Sequence, residues 1–264
     1  MKVVLFFGGL GMRLREFSEN TPKPMVPIGY RPIIWHLMKY YAHFGHKEFI
    51  LCLGYRADII KKYFIEYDEW VTNDFVLSGS GQKPEMLSTD IHDWKITFCE
   101  TGLTSNIAQR LMAVKQHVMN EEYFMANYSD NLSGLHLPDL VNFALERKKI
   151  GALLSVCPAQ TFHALESDKT GRVTGIKDMT KSGLAINGGY FVLKPEVFDY
   201  IKPGEELVHE PFGRLIAKNE LAAYHYDGFF ASMDTFKERQ QLEDLFSKGN
   251  APWEVWKKKI AGHP

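Results

Sequence analysis

Residues 6–29 read FFGGLGMRLREFSENTPKPMVPIG. Gly8, Gly9 and Gly11 open this stretch, and Arg13, Arg15 and Lys23 follow before the next apolar segment. Glycines let backbone N–H groups approach an anion with no intervening Cβ. The Arg13 guanidinium offers a planar fork of donors that matches phosphate oxygens. Lys23 stands between Pro22 and Pro24, a stiff setting for a positioned charge. The stretch is not a dinucleotide fingerprint, because Leu14 occupies the third glycine position. It is not a P-loop either, since no Gly-Lys-Ser/Thr follows the glycines. Pro22, Pro24 and Pro27 keep the chain irregular to residue 30. The chemistry that fits is a grip on a triphosphate; the plain alternative is a surface loop with solvated basic side chains.

Such a loop needs a strand before it and a scaffold around it. KVVLFF (2–7) is a continuous apolar run suited to a central strand buried on both faces. The spacing predicts a helix over 31–45, with Pro32 in its first turn and Gly45 as its stop. A strand over 48–54 and a helix over 57–67 continue the alternation. Residues 68–92 break it, and read as an inserted flap or hairpin. Strands at 94–100, 123–129 and 151–157, with helices near 106–118 and 138–149, resume it. Residues 172–178 and 186–193 read as strands of a small attached sheet. A helix at 211–218, a strand at 221–226 and an amphipathic helix at 234–246, capped by Asp234, complete the pattern. The expectation is an α/β fold: one doubly wound, Rossmann-like mixed sheet with a small additional sheet, in a single domain over 1–264.

Composition sets limits. The chain has 264 residues and a formal net charge of -1, so no general attraction to nucleic acid or anionic membranes is expected. Any anion site must be a local cluster. Cys52, Cys99 and Cys157 lie far apart in apolar runs, the profile of buried free thiols in a reducing compartment. No apolar run approaches the length needed to span a bilayer. The reading is a cytoplasmic protein.

GGLGMRL, TPKPMVPIG and PIIWHLM together resemble the sugar-1-phosphate nucleotidylyltransferases, whose signature is G-G-x-G-T-R-L followed by P-K-P. FILCLGYRADIIKKYF, TGLTSNIAQRL, INGGYFVLKPEVFDYI, EPFGRLI and LAAYHYDGFFASMDT look most like the glucose-1-phosphate cytidylyltransferases, and the resemblance runs over residues 1–246. It implies that a sugar 1-phosphate attacks the α-phosphorus of a nucleoside triphosphate, CTP or another such as dTTP, and that pyrophosphate leaves. It implies that Gly8, Gly9, Gly11 and Arg13 hold the triphosphate and that Lys23 neutralises charge at the α-phosphate. Asp130 in YSDN and Asp234 in MDT match the pair that binds Mg²⁺. Taken alone, Asp130 reads equally as a turn residue, and Asp234 more readily as a helix cap. Arg110 aligns with a triphosphate-binding arginine, or else is an exposed helix arginine. Asn187, Gly188 and Gly189 match residues lining the sugar pocket, and Tyr128 either lines it too or packs in the core. The family resemblance also implies a homo-oligomer, for which the 68–92 insertion is a candidate contact.

Three departures bear on substrate. Met12 replaces the threonine of G-T-R-L, and Asn131 stands where the family has glycine. GIKDMTKSG replaces the E-K-P whose lysine binds the sugar phosphate, which puts Met179 at the lysine position with Lys177 and Lys181 flanking it. Either flanking lysine is a substitute, or the acceptor is another phosphorylated or phosphonylated molecule. Two further readings compete: a glycosyltransferase, which YSDN with its single aspartate does not favour, and a degenerate nucleotide-binding regulatory protein.

Overall fold

The computed structural model describes residues 1–7, 21–79, 83–158, 163–179 and 183–257. Seven strands form the central sheet: β1 (Val3–Phe6), β2 (Glu48–Leu53), β3 (Lys95–Glu100), β4 (Phe124–Tyr128), β5 (Gly151–Val156), β6 (Ile186–Leu193) and β7 (Leu221–Tyr226). Their order across the sheet is β7-β5-β6-β4-β1-β2-β3. All run parallel except β6, which is antiparallel to both its neighbours.

The apolar run at the N-terminus becomes β1 because both of its faces find cover. Val3 and Leu5 enter one core, and Val4 and Phe6 enter the other. β2 repeats the division, with Phe49, Leu51 and Leu53 on one side and Ile50 and Cys52 on the other. The first face is covered by the helices Ile33–His43 and Leu137–Arg147, with Leu242 of Phe236–Ser247 and Trp253. The second is covered by Ile107–Ala113, Lys115–Val118 and Glu210–Ala217. Truncating a fully buried side chain such as Leu5 to alanine costs about 2–5 kcal/mol.

From β1 the chain builds outward through β2 to β3, then returns to place β4 on the other side of β1. That reversal is a topological switch point, and ligands of open α/β sheets bind outside the carboxyl ends of the strands there. Phe7, which follows β1, and the YSDN turn at the end of β4 both lie at this point.

Three expectations are corrected. Residues 186–193 are not part of an attached sheet: as β6 they lie inside the central one, six of eight residues buried, between β5 and β4. The strand at Val173–Asp178 does leave the main sheet, but it pairs with an unanticipated strand, His163–Ser167, in an exposed hairpin. The region 106–118 is two helices meeting at Val114 rather than one. The insertion at 68–92 contains a 3-10 turn at Glu69–Val71 and a short antiparallel pair, Phe75–Val76 with Glu85–Met86. No helix among the described residues is long and apolar enough to cross a membrane.

Candidate active site

Lys23 opens a 3-10 turn, Lys23–Met25, whose Pro24 and Met25 are buried. Pro22 cannot donate a backbone hydrogen bond, but its carbonyl accepts one from Met25 at 2.7 Å, and Lys23 O accepts one from Val26 at 3.1 Å. The lysine therefore projects from an anchored turn. Its Nζ donates to Asp130 Oδ2 at 2.5 Å and to Asp234 Oδ1 at 2.7 Å. Burial pulls the ammonium toward neutrality, but the charges and hydrogen bonds of Asp130 and Asp234 outweigh it and hold the Lys23 pKa above its ordinary value.

Backbone pairing brings the two aspartates together. Strand Asn131–Ser133 pairs antiparallel with Phe230–Ser232, with Ser232 opposite Asn131. The ladder extends one step further, where Met233 N donates to Asp130 O at 2.8 Å. Asp130 and Asp234 thus flank the end of one two-stranded ribbon. Ser129 ties the ribbon to the switch point, its buried hydroxyl donating to Phe6 O at the end of β1. Sequence reasoning missed Ser129; a hydroxyl directly before the turn aspartate is its only local signal.

Asp234 is not the N-cap of the last helix, which corrects the expectation. Thr235 is the cap: its hydroxyl accepts from Glu238 N, and Glu238 Oε2 accepts from Thr235 N at 2.9 Å and from Asp234 N at 2.8 Å. The capping box takes over the helix end, which leaves the Asp234 carboxylate free to face Lys23. T-F-K-E carries the T-x-x-E signature of that box, a signal readable in the sequence.

Two carboxylates already converging on one cation are a donor set suited to Mg²⁺, which takes oxygen ligands and leaves its other positions to water and phosphate. Asp130 and Asp234 are the residues that would hold it.

Arg110 lies on Ile107–Ala113 and is buried, not an exposed helix arginine. Its guanidinium donates to Leu53 O at 3.1 Å and Thr101 Oγ1 at 2.7 Å, at the carboxyl end of β2. Its Nε has no hydrogen-bond partner among the described residues, and burial lowers its pKa. Gly54 makes room for it, since a Cβ there would sit 2.9 Å from the guanidinium.

On the opposite flank, Gly188 and Gly189 fall where the β5–β6 register shifts. Gly189 has φ +73°, and a Cβ on it would come within 2.4 Å of the Tyr128 ring. The Tyr128 hydroxyl accepts from Asn187 Nδ2 at 3.4 Å. Asn187 Oδ1 in turn accepts from Gly189 N at 2.9 Å. Burial raises the Tyr128 pKa to about 12. Asn131 is buried beneath Gly189. Lys177 stands on the exposed hairpin, donating to Glu166 Oε1 at 2.6 Å. Gly8, Gly9, Gly11, Met12, Arg13 and Lys181 lie outside the described residues.

Comparison with known proteins identifies the family. A nucleotidyl transferase family model matches residues 2–235. A Bacillus subtilis protein named "Probable glucose-1-phosphate cytidylyltransferase" is 36% identical over 258 residues, 97% of this chain and all of that one. The glucose-1-phosphate cytidylyltransferase of Salmonella typhimurium is 36% identical with the same coverage. Among solved structures, a UDP-glucose pyrophosphorylase complexed with UDP-glucose superposes with a TM-score of 0.69 at 13% identity, covering 94% of this chain and 98% of that one. The fold, the switch-point site and these matches lead to one conclusion: the chain belongs to the nucleotidyl transferase family and is a nucleotidyltransferase.

Proposed function

We propose that this enzyme transfers CMP from CTP to a sugar 1-phosphate of the glucose 1-phosphate kind, giving a nucleotide sugar and pyrophosphate. The observation that carries the reading is the convergence of Lys23, Asp130 and Asp234 at the switch point of the sheet. A phosphate oxygen of the acceptor attacks the α-phosphorus of CTP, and the bond to the β-phosphate oxygen breaks. Two anions must meet, so positioning and charge neutralisation do most of the catalytic work. Asp130 and Asp234 would hold Mg²⁺, which would supply charge neutralisation at the phosphates. Lys23 transfers its ammonium from the carboxylates to the α-phosphate, where negative charge builds. Arg13 and the backbone of Gly8, Gly9 and Gly11 hold the leaving pyrophosphate. Arg110 stiffens the nucleotide side from behind Gly54, and its cationic field favours the triphosphate there. Asn187, with Tyr128 and Gly188, shapes the sugar side. The enzyme is cytoplasmic and acts as a homo-oligomer on this reading.

The substitution at Met179 favours a second acceptor class, a different phosphorylated or phosphonylated molecule. A thioether makes no charge-assisted bond to phosphate. Lys177 is bound to Glu166, but an exposed pair of this kind is worth only about 0–1 kcal/mol and gives way readily to a phosphate. Pyrophosphate release with CTP, Mg²⁺ and a panel of sugar 1-phosphates tests both readings. The first expects glucose 1-phosphate to be used with kcat/KM of about 10⁴ M⁻¹s⁻¹ or more, and Lys177→Ala or Lys181→Ala to lower it. The second expects poor use of glucose 1-phosphate, improved by Met179→Lys. Absence of turnover with CTP and every acceptor tried would overturn the proposal.

A further inference from the structure

β5 and β7 are adjacent parallel strands at one edge of the sheet, with Ser155 opposite His225 and Val156 opposite Tyr226. Side chains two apart on a strand share a face. Cys157, one step past the end of β5, therefore shares a face with Ser155, and His225 and Asp227 share that same face on the neighbouring chain. Tyr226 points the other way, into the core. Its ring closes against the turn that follows: a Cβ on Gly228 would lie 2.2 Å from the Tyr226 hydroxyl.

The result is a thiol, an imidazole and a carboxylate grouped at the carboxyl ends of two strands. His225 Nε2 lies 2.9 Å from Asp227 Oδ1, and Cys157 Sγ lies 3.9 Å from the same oxygen. All three ligand atoms fall within 4.8 Å of one another. A tetrahedral ion bound at about 2.3 Å to sulfur and about 2.0 Å to nitrogen and oxygen needs its donors roughly 3.3–3.6 Å apart. His225 and Asp227 stand slightly closer than that and Cys157 stands farther from Asp227, so the arrangement is reached when the exposed His225 and Asp227 side chains part a little and Cys157 swings toward them. The other thiols offer no such set: Cys99 meets His117 Nε2 at 3.5 Å with no carboxylate joining them in a ligand cluster among the described residues, and Cys52 is buried.

We propose that Cys157, His225 and Asp227 form a binding site for a zinc-type divalent cation, with the fourth coordination position open to water or another ligand. The donor chemistry selects the ion. One soft sulfur and one imidazole suit Zn²⁺, whereas Mg²⁺ takes oxygen ligands and belongs at the Asp130–Asp234 pair. Binding exchanges the thiol proton for the metal and releases that proton to solvent. It also couples β5 to β7 at the point from which the chain runs on to Phe230–Ser232 and Asp234. The proposal stands independently of the transfer reaction, since it uses none of the residues assigned to that reaction.

The test is a titration of the reduced, metal-free protein with Co²⁺, followed by competition for Zn²⁺ against a chromophoric chelator. One equivalent of Co²⁺ is expected to give a thiolate-to-metal charge-transfer band and intense tetrahedral d–d bands. Cys157→Ser should abolish the charge-transfer band, and His225→Gln should weaken Zn²⁺ binding by at least about tenfold. Asp130→Asn and Asp234→Asn should leave both signals in place. Circular dichroism checks that each variant is folded, and the two substitutions read the site independently should one of them fail to fold. A Co²⁺ spectrum without the charge-transfer band, Zn²⁺ affinity unchanged in both site variants, or loss of the signal in the Asp130 and Asp234 variants would each overturn the proposal.

Discussion

Lys23 meets two carboxylates at once, and this has a consequence for the order in which ligands arrive. The ammonium bridges Asp130 and Asp234, the same two carboxylates that a divalent cation would use. A free cation must displace it without compensation, whereas a cation arriving with a triphosphate brings a new partner for the lysine. Hydrogen bonds to charged groups are worth about 1.5–3 kcal/mol, so Lys23→Met should bind free Mn²⁺ at least about tenfold more tightly than the parent, while losing about 10²-fold or more in turnover. Electron paramagnetic resonance of unbound Mn²⁺, with no nucleotide present, measures the first. Equal Mn²⁺ affinity in the two proteins would show that the ammonium is no competitor. Lys23 was legible as a positioned charge from the two prolines around it, but its grouping with Asp130 and Asp234 was legible only through motif resemblance. Lys23 lies 107 residues from Asp130 and 211 from Asp234, and no spacing rule joins them. What joins them is the pairing of Asn131–Ser133 with Phe230–Ser232, a long-range event whose short strands carry almost no pattern of their own. Asp234 was misread as a cap because aspartate and threonine are both good N-cap residues, and only Glu238 three residues beyond Thr235 decides between them.

Among the elements, the helix Ile33–His43 carries a titratable group in its most buried stretch. His36 Nε2 donates to Ile28 O at 3.0 Å, and its Nδ1 accepts from Trp253 Nε1 at 3.3 Å. Only the neutral ring with its proton on Nε2 satisfies both partners, because a proton on Nδ1 would face the indole N–H. Burial pushes the pKa down to about 4 despite the favourable carbonyl of Ile28. The unfolded chain, with an ordinary value near 6.5, binds this proton first as pH falls. Stability from His36 is therefore intact at pH 7, erodes below about 6.5 and is lost by about 4, with a slope approaching 1.4 kcal/mol per pH unit. His46, lowered to about 4 by burial and the N-terminal ammonium, acts in the same direction. Melting temperatures between pH 7.5 and 5 should fall in the parent and fall less steeply in His36→Gln; parallel curves would rule out His36 as a source. The strands with continuous apolar runs were readable because burial on both faces demands them. β6 was assigned to the wrong sheet because its polar start and glycine pair hide a buried YFVL end. His163–Ser167 was missed because HALES, exposed at all but Ala164, has no burial pattern to read.

At the scale of the whole molecule, the described residues of the insertion after the second helix are tied together by a polar network. Asp90, nearly buried, accepts from Lys39 at 2.8 Å, Thr72 at 2.7 Å, Asn73 at 2.8 Å and Tyr67 at 3.1 Å. Arg31 lies 3.7 Å from the same carboxylate and stacks 4.2 Å from the Tyr67 ring centroid, while Glu69 accepts from Asp90 N at 2.6 Å. This network spends its polar groups inward and leaves apolar side chains outside. Trp70 is 52% exposed, Leu77 62% and Leu87 64%, with Phe75 and Val76 beside them on the short antiparallel pair. Exposed apolar groups gathered on one insertion are a candidate interaction surface. A net charge of -1 gives two copies little cause to repel. This surface is the contact to be tested for the proposed homo-oligomer, with a second copy of this chain as the expected occupant. Light scattering after size exclusion should show a multimer for the parent and a smaller species for Leu77→Asp combined with Leu87→Asp. Neither position takes part in the Asp90 network, so the melting transition of the dissociated variant should survive. A monomeric parent, or an unchanged mass in the double variant, would remove this surface as the contact.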